Sequence, residues 1–251
     1  MNQRQFSLSG RVGLVTGSTG GIGRAIAEGL TLAGARIAIN GRNEDKVNLV
    51  VKSLEGAMSA PFDVDDHSAA EDAIDKIIFE TGRFDILVCS VGTRDRRSIA
   101  EIDASAFQDL LFTNTVSAYQ LARAASRKMP DPKVGRLIFI SSIASFRPFR
   151  GDPAYSASKA ALESIVRSFC YEFGPLGITA NAIAPGFVAT EFNADLVEDP
   201  NIQEFVRTRI PAQRWARPEE VANAAVFLAS DGASYINGHV LTVDAGLSTN
   251  L

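Results

Sequence analysis

Cysteine, tryptophan and excess positive charge are what this chain has least of. Its 251 residues include two cysteines and one tryptophan. Cys89 and Cys170 read as small core residues in a reducing compartment, so a disulfide scaffold is excluded and a cytoplasmic protein is expected. Lys and Arg number 25 against 29 Asp and Glu, a net charge of −4, and the pI is near 5.3. That balance offers no surface for nucleic acid. No apolar run is long enough to span a membrane, and the start, M-N-Q-R-Q-F-S-L-S-G, lacks the apolar core of a signal peptide. Linkers, repeats and low-complexity stretches are missing too, so residues 1–251 are expected to form a single domain. No metal site is expected.

What is present is a hydrophobic content of 46%, enough for a substantial core, in apolar segments of alternating kind. Strands are predicted near 11–16, 35–40, 57–62, 84–90, 134–141, 178–184 and 239–243. Helices are predicted near 21–33, 43–54, 67–81, 104–129, 153–174 and 218–229. Such alternation predicts an α/β doubly wound, seven-stranded parallel sheet with helices on both faces. Residues 190–216 break the rhythm: they are long, mixed in polarity, and follow a strand whose carboxyl end should face a ligand. They read as a substrate lid with short helices, against an ordinary surface excursion.

Three local patterns carry chemistry. G-R-V-G-L-V-T-G-S-T-G-G-I-G-R-A-I-A reads as strand, glycine turn, helix. Glycines let backbone approach a pyrophosphate, and the N–H groups and dipole of a helix start favour the anion. A plain strand–helix turn is the alternative. Tyr155 and Lys159 stand four apart in P-A-Y-S-A-S-K, on one helix face. A neighbouring ammonium favours the phenolate, whose free acid titrates at about 10, and the group can then move a proton to or from an alcohol oxygen. By itself the pair also fits an ordinary helix surface. Ser142, at the end of R-L-I-F-I-S-S, adds a hydroxyl from a strand end.

Together these segments resemble the short-chain dehydrogenase/reductase family over almost the whole chain. T-G-S-T-G-G-I-G is similar to that family's T-G-x-x-x-G-x-G, Asp63-Val64 to its adenine-contacting pair, and P-G-F-V-A-T to its nicotinamide-gripping segment. Asn114, Ser142, Tyr155 and Lys159 match its catalytic tetrad in order and spacing. The resemblance implies a Rossmann-type fold, a nicotinamide cofactor and reversible hydride transfer. It implies cofactor contacts from Gly17, Ser18, Thr19, Gly21, Ile22, Gly23, Gly92, Pro185, Gly186, Val188 and Thr190, besides Asp63, Val64, Tyr155 and Lys159. Ser142 would hold the substrate oxygen, Tyr155 exchange its proton, and Lys159 lower the tyrosine pKa and bind ribose hydroxyls. Asn114 would position a water, its alternative being a buried polar residue bonded to a carbonyl. The resemblance also implies a homotetramer, with Ala118, Ala122, Ala125, Ala157 and Ala161 permitting close helix contact between subunits.

Finer choices rest on single residues. The second strand ends in I-N-G-R-N, with Gly41 where NAD-preferring members carry Asp. Arg42 follows and is suited to a 2′-phosphate, so NADP is expected, NAD use staying open, as does a plain turn arginine. C-S-V-G, residues 89–92, replaces the family's N-N-A-G and removes a side-chain tie from the central sheet. Arg94, Arg96, Arg97, Arg147 and Arg150 follow the fourth and fifth strands and read as an anion-binding cluster or as solvated loop charge; Trp215 and nearby phenylalanines wall a pocket or pack the lid. The chain resembles gluconate 5-dehydrogenases and 3-oxoacyl-acyl-carrier-protein reductases. The first favours a sugar acid or polyol, and the second a carrier-bound acyl group. A cofactor-binding protein without turnover is the remaining alternative.

Overall fold

The computed structural model of the chain describes residues 3–129, 134–149 and 151–249. Its strands are β1 (Val12–Val15), β2 (Arg36–Gly41), β3 (Met58–Pro61), β4 (Ile86–Cys89), β5 (Arg136–Ile140), β6 (Thr179–Pro185) and β7 (Val240–Val243). They form one sheet in the order β3-β2-β1-β4-β5-β6-β7, every neighbouring pair parallel. Each predicted strand is found within two residues of its expected ends. The helices are α1 (Gly21–Leu32), α2 (Glu44–Ser53), α3 (His67–Thr81), α4 (Ala104–Leu111), α5 (Ser117–Lys128), α6 (Pro153–Phe173), α7 (Ala194–Glu198), α8 (Pro200–Arg209) and α9 (Pro218–Ala229).

Alternating side chains of the central strands feed two cores. Leu137 and Phe139 of β5 pack with Ile74 of α3, Leu121 of α5 and Val166 of α6. Ile138 and Ile140 face the other way, with Ile26 of α1, Val50 of α2 and Val221 of α9. Burial on both faces explains why these strands read as unbroken apolar runs. Fully burying one such side chain contributes about 1.5–3 kcal/mol.

Two expectations change here. The helix foreseen over 104–129 is interrupted by a π-helical turn at Phe112–Val116, an insertion that re-aims side chains and recurs at functional sites. It carries Asn114. The alanines assigned to contacts between subunits are also misplaced in part. Ala118, Ala122 and Ala125 are buried against the sheet, so they already pack inside this chain.

The strand order reverses between β1 and β4, which opens a crevice at the carboxyl ends of the strands. Residues 190–216 cover it with a 3-10 turn, Glu191–Asn193, followed by α7 and α8. The segment is tied at its base: Ala189 N donates to Ala216 O at 2.9 Å and Ala216 N to Phe187 O at 2.8 Å. It brings its own small core, in which Val206 and Ile210 pack with Ile143 and Leu247.

Candidate active site

Backbone conformation builds one side of the crevice. Gly17 has φ of 63° and Gly21 of 53°, values that favour glycine. A Cβ on Gly23 would stand 2.4 Å from Gly17 O, so bare backbone is required there, and one on Gly92 would stand 3.1 Å from Lys159 Nζ, a tight approach. The turn is held by Asn40, a residue the motifs did not single out. Its Oδ1 accepts from Gly17 N at 3.1 Å, and its Nδ2 donates to Ala60 O and Phe62 O at 3.0 and 3.1 Å. One buried amide thereby joins the glycine turn to the loop holding Asp63 and Val64.

The cavity above this turn is about 600 Å³ and runs from Arg42 and Asp63 to Tyr155, Lys159 and Pro185. Gly17, Thr19, Ile22, Gly23, Val64, Gly92, Gly186, Val188 and Thr190 also line it. Ser18 does not: it is fully buried, and its hydroxyl donates to Val15 O at 2.7 Å. Gly21 does not line it either: its amide, between the lining residues Gly20 and Ile22, donates to Glu191 Oε1 at 2.8 Å. The bare glycines, helix start and size of this space fit an extended dinucleotide.

At the Arg42 end, the arginine side chain is 81% exposed and 3.9 Å from Asp63. A Cβ on Gly41 would meet Thr19 Cγ2 at 2.7 Å, so an aspartate there would have to displace the threonine. The replacement of N-N-A-G is compensated by another side chain. The Thr16 hydroxyl accepts from Ser90 N at 3.0 Å and ties the end of β4 back to β1. Cys89 is buried, which pushes its thiol up to about 12, and it stays protonated.

At the other end α6 delivers Tyr155 and Lys159 to one face, with Ser142 just beyond β5. The Ser142 hydroxyl accepts from Ala144 N at 3.1 Å and lines the same cavity as the phenol. Lys159 is 2% exposed and donates to Ile140 O at 2.7 Å. Burial pushes its ammonium down to about 8, with Arg94 adding to the fall and Cys89 opposing it. Its Nζ is 5.7 Å from the Tyr155 ring centroid, whereas the Arg94 guanidinium carbon is 4.4 Å away. Arg94 is thus nearer the Tyr155 ring than Lys159, the cation expected to tune the tyrosine. Burial raises the phenol above its ordinary value, Arg94 and Ser142 pull it back, and Asp152 adds to the rise.

Asn114 is committed to structure. Its Oδ1 accepts from Thr93 N at 2.7 Å, and its Nδ2 donates to Thr93 O at 2.9 Å and Ser158 Oγ at 3.0 Å. It steadies the loop that carries Gly92 and Arg94, with no more than one lone pair left for a water. Glu163, another residue not foreseen, accepts at one oxygen from Ser141 Oγ at 2.7 Å and Ser145 Oγ at 2.6 Å. It lies one turn beyond Lys159, and its spacing along the Tyr155–Lys159 face is the signal that marks it. Through these bonds, α6 holds both sides of the Ser142 turn.

A second cavity of about 470 Å³ adjoins Ser142 beneath residues 190–216. Arg94 lines both cavities and is paired with Asp152. Arg96 and Trp215 also line the second, and Trp215 packs edge-on against Phe187 at 5.1 Å. The other arginines diverge. Arg97 turns to Asp95 and Asp103. Arg147 lines a separate space of about 280 Å³ beside Phe149 and Arg209. Arg150 lies outside the described residues. Among the described residues, the expected cluster is therefore two arginines at the cavity, with Arg94 paired to Asp152.

Fold and site define a dinucleotide-dependent oxidoreductase, and known proteins agree. The family model described as Enoyl-(Acyl carrier protein) reductase matches residues 17–248. The gluconate 5-dehydrogenase of Gluconobacter oxydans (strain 621H) is 35% identical over 250 residues, covering 98% of each chain. A 3-oxoacyl-[acyl-carrier-protein] reductase of Rickettsia felis is 37% identical over 244 residues, covering 96% of this chain and 98% of that one. The crystal structure of a gluconate 5-dehydrogenase from Burkholderia cenocepacia J2315 in complex with NADP and tartrate superposes with a TM-score of 0.94 at 34% identity, covering 100% of both chains. The chain belongs to the short-chain dehydrogenase/reductase family and is an oxidoreductase acting on CH–OH groups. Among the described residues no helix is long and apolar enough to cross a membrane.

Proposed function

We propose that the protein interconverts a ketone and a secondary alcohol on a sugar acid or polyol, using NADP(H). The observation that carries this is Tyr155 in the nucleotide cavity beside Ser142 and Arg94, both of which also line the second cavity, with the Arg94 guanidinium over the Tyr155 ring. The bound nicotinamide would supply the hydride chemistry. Ser142 holds the substrate oxygen. Tyr155 gives its proton to the developing alkoxide, or takes it in the oxidative direction. Arg94 takes the charge role beside the phenol, while Lys159 binds ribose hydroxyls from its buried position. Arg42 holds the 2′-phosphate, with Asp63 and Val64 at the adenine. Residues 190–216 act as the substrate lid. The second cavity suits a small polar substrate: Arg94, Arg96, Asn193 and Asn201 meet an aromatic wall. The relatives in Gluconobacter oxydans and Burkholderia cenocepacia point the same way.

The second reading is reduction of a carrier-bound 3-oxoacyl group, favoured by the Rickettsia felis relative. Leu176, 52% exposed, stands where such reductases often carry a basic residue for the carrier, which weighs against it. One panel separates the readings: gluconate, 5-ketogluconate and an acetoacetyl thioester, each with NADP(H) and NAD(H). Higher kcat/KM on the thioester than on 5-ketogluconate would overturn the sugar-acid reading. Tight cofactor binding without turnover on any member would favour a non-catalytic binder. A cytoplasmic homotetramer completes the proposal. Exposed Phe112, Tyr119 and Tyr171 on α4–α6 supply apolar surface for assembly, and light scattering at the mass of one chain would contradict it.

A further inference from the structure

The start of α1 already holds an anion, and that anion belongs to the protein. Gly20 caps the helix without a side-chain bond, so the first-turn N–H groups have no partner within the helix. Gly21 N donates to Glu191 Oε1 at 2.8 Å, across 170 residues of sequence. A Cβ on Gly20 would stand 2.2 Å from the same oxygen, so the carboxylate rests directly on the glycine backbone. The next residue covers the same turn: a Cβ on Gly21 would meet the Phe192 ring at 3.3 Å. Phe192 is nevertheless 81% exposed, so packing against a core does not explain its position.

Glu191 and Phe192 follow Thr190 at the start of the lid, and their approach is set from below. Asn193 Nδ2 donates to Val188 O at 2.9 Å, and Asn193 Oδ1 accepts from Thr190 N at 2.9 Å. This clasp fixes the chain as it leaves the wall of the nucleotide cavity and sends the next side chains towards the glycine turn. A carboxylate at a helix start makes the same charge-assisted contact as a phosphate oxygen.

We propose that Glu191 is a built-in competitor of the cofactor: its carboxylate occupies the place of a diphosphate oxygen, latches the lid to the glycine turn, and must leave before the cofactor seats. This rests on the reading of the glycine turn as a diphosphate cradle. A binding-competent state that is only partly populated weakens apparent affinity in proportion. An anion at a helix start is stabilised enough to make that factor about two- to fivefold, up to about thirtyfold in a partly buried setting.

The test is NADPH affinity in wild type, Glu191→Gln and Glu191→Ala, read by NADPH fluorescence and by quenching of Trp215, the one tryptophan. Amide hydrogen exchange at Gly21 is measured alongside on cofactor-free protein. Glu191→Ala should bind NADPH about two- to fivefold more tightly, and Glu191→Gln should lie between it and wild type. The Gly21 amide should exchange faster in Glu191→Ala than in wild type. Unchanged or weaker affinity in Glu191→Ala, or an unchanged Gly21 exchange rate, overturns the proposal. Wild type that binds neither NADPH nor NADH overturns the nucleotide reading, and this inference with it.

Discussion

The crevice has a floor and a roof built on different principles. The floor is backbone and helix face: glycine turns, strand ends, and Tyr155 and Lys159 on an α6 anchored by Leu162 and Val166 in a sheet-flanking core. The roof, residues 187–216 with the loop after β4, is held by the small cluster around Val206 and Ile210 and by exposed ion pairs such as Arg207–Glu204. Exposed pairs contribute little, so the roof depends on its few apolar contacts. The difference teaches where packing is concentrated: the floor is tied into the cores that flank the sheet, while the roof rests on a small core of its own.

The largest expected effect tests the floor alone. Tyr155→Phe should lower turnover by about 10²–10⁴ and leave cofactor binding nearly unchanged; a variant with more than about a tenth of wild-type rate would remove Tyr155 from the chemical step. The second sets floor against roof with one and the same deletion. Ile39→Ala, a β2 side chain in the core with Ile26 and Val50, should lower unfolding free energy by about 2–5 kcal/mol. Ile210→Ala should lower it by less than half as much in denaturant titration while raising substrate KM, because the roof opens locally. Equal losses of stability would show that floor and roof are one cooperative unit.

The third prediction concerns the far end of the floor. Arg42→Ala should weaken NADPH about ten- to a hundredfold and barely touch NADH; an unchanged ratio of kcat/KM for the two cofactors would make Arg42 a turn residue only. The smallest effect is a slope. Lys159 titrates at about 8 in the fold and near 10.4 when unfolded, so between those values the unfolded chain binds the extra proton. Lys159 therefore makes stability rise with pH across that window. Lys159→Met should flatten the rise in denaturant midpoints measured from pH 8 to 10.

Much of the floor was legible because its determinants are local. The strand–glycine–helix pattern at 11–23 and the Tyr155–Lys159 spacing are short-range periodicities that packing left intact. Glu163 obeys the same periodicity and was within reach of the spacing argument. Ser18 was misread because a glycine-turn motif gives positions and not side-chain directions; Asn40 makes that turn's inner bonds. The π-turn at Asn114 was illegible, since residues 104–129 have an ordinary helical pattern and the extra residue is set by bonds to Thr93 and Ser158.

By itself the sequence determined the order of strands and helices, the bare backbone at Gly17 and Gly23, and the shared face of Tyr155 and Lys159. Each follows from φ/ψ preference or from a repeat of a few residues. Only the tertiary structure decided that Arg94, paired with Asp152 58 residues away, lies over the Tyr155 ring and nearer to it than Lys159. The same holds for Arg97 and Arg147 pointing away from the cavity, and for Glu191 resting on Gly21. These contacts join loops whose side chains have many rotamers of similar energy, and the choice among them falls to packing and charge brought together by the completed sheet.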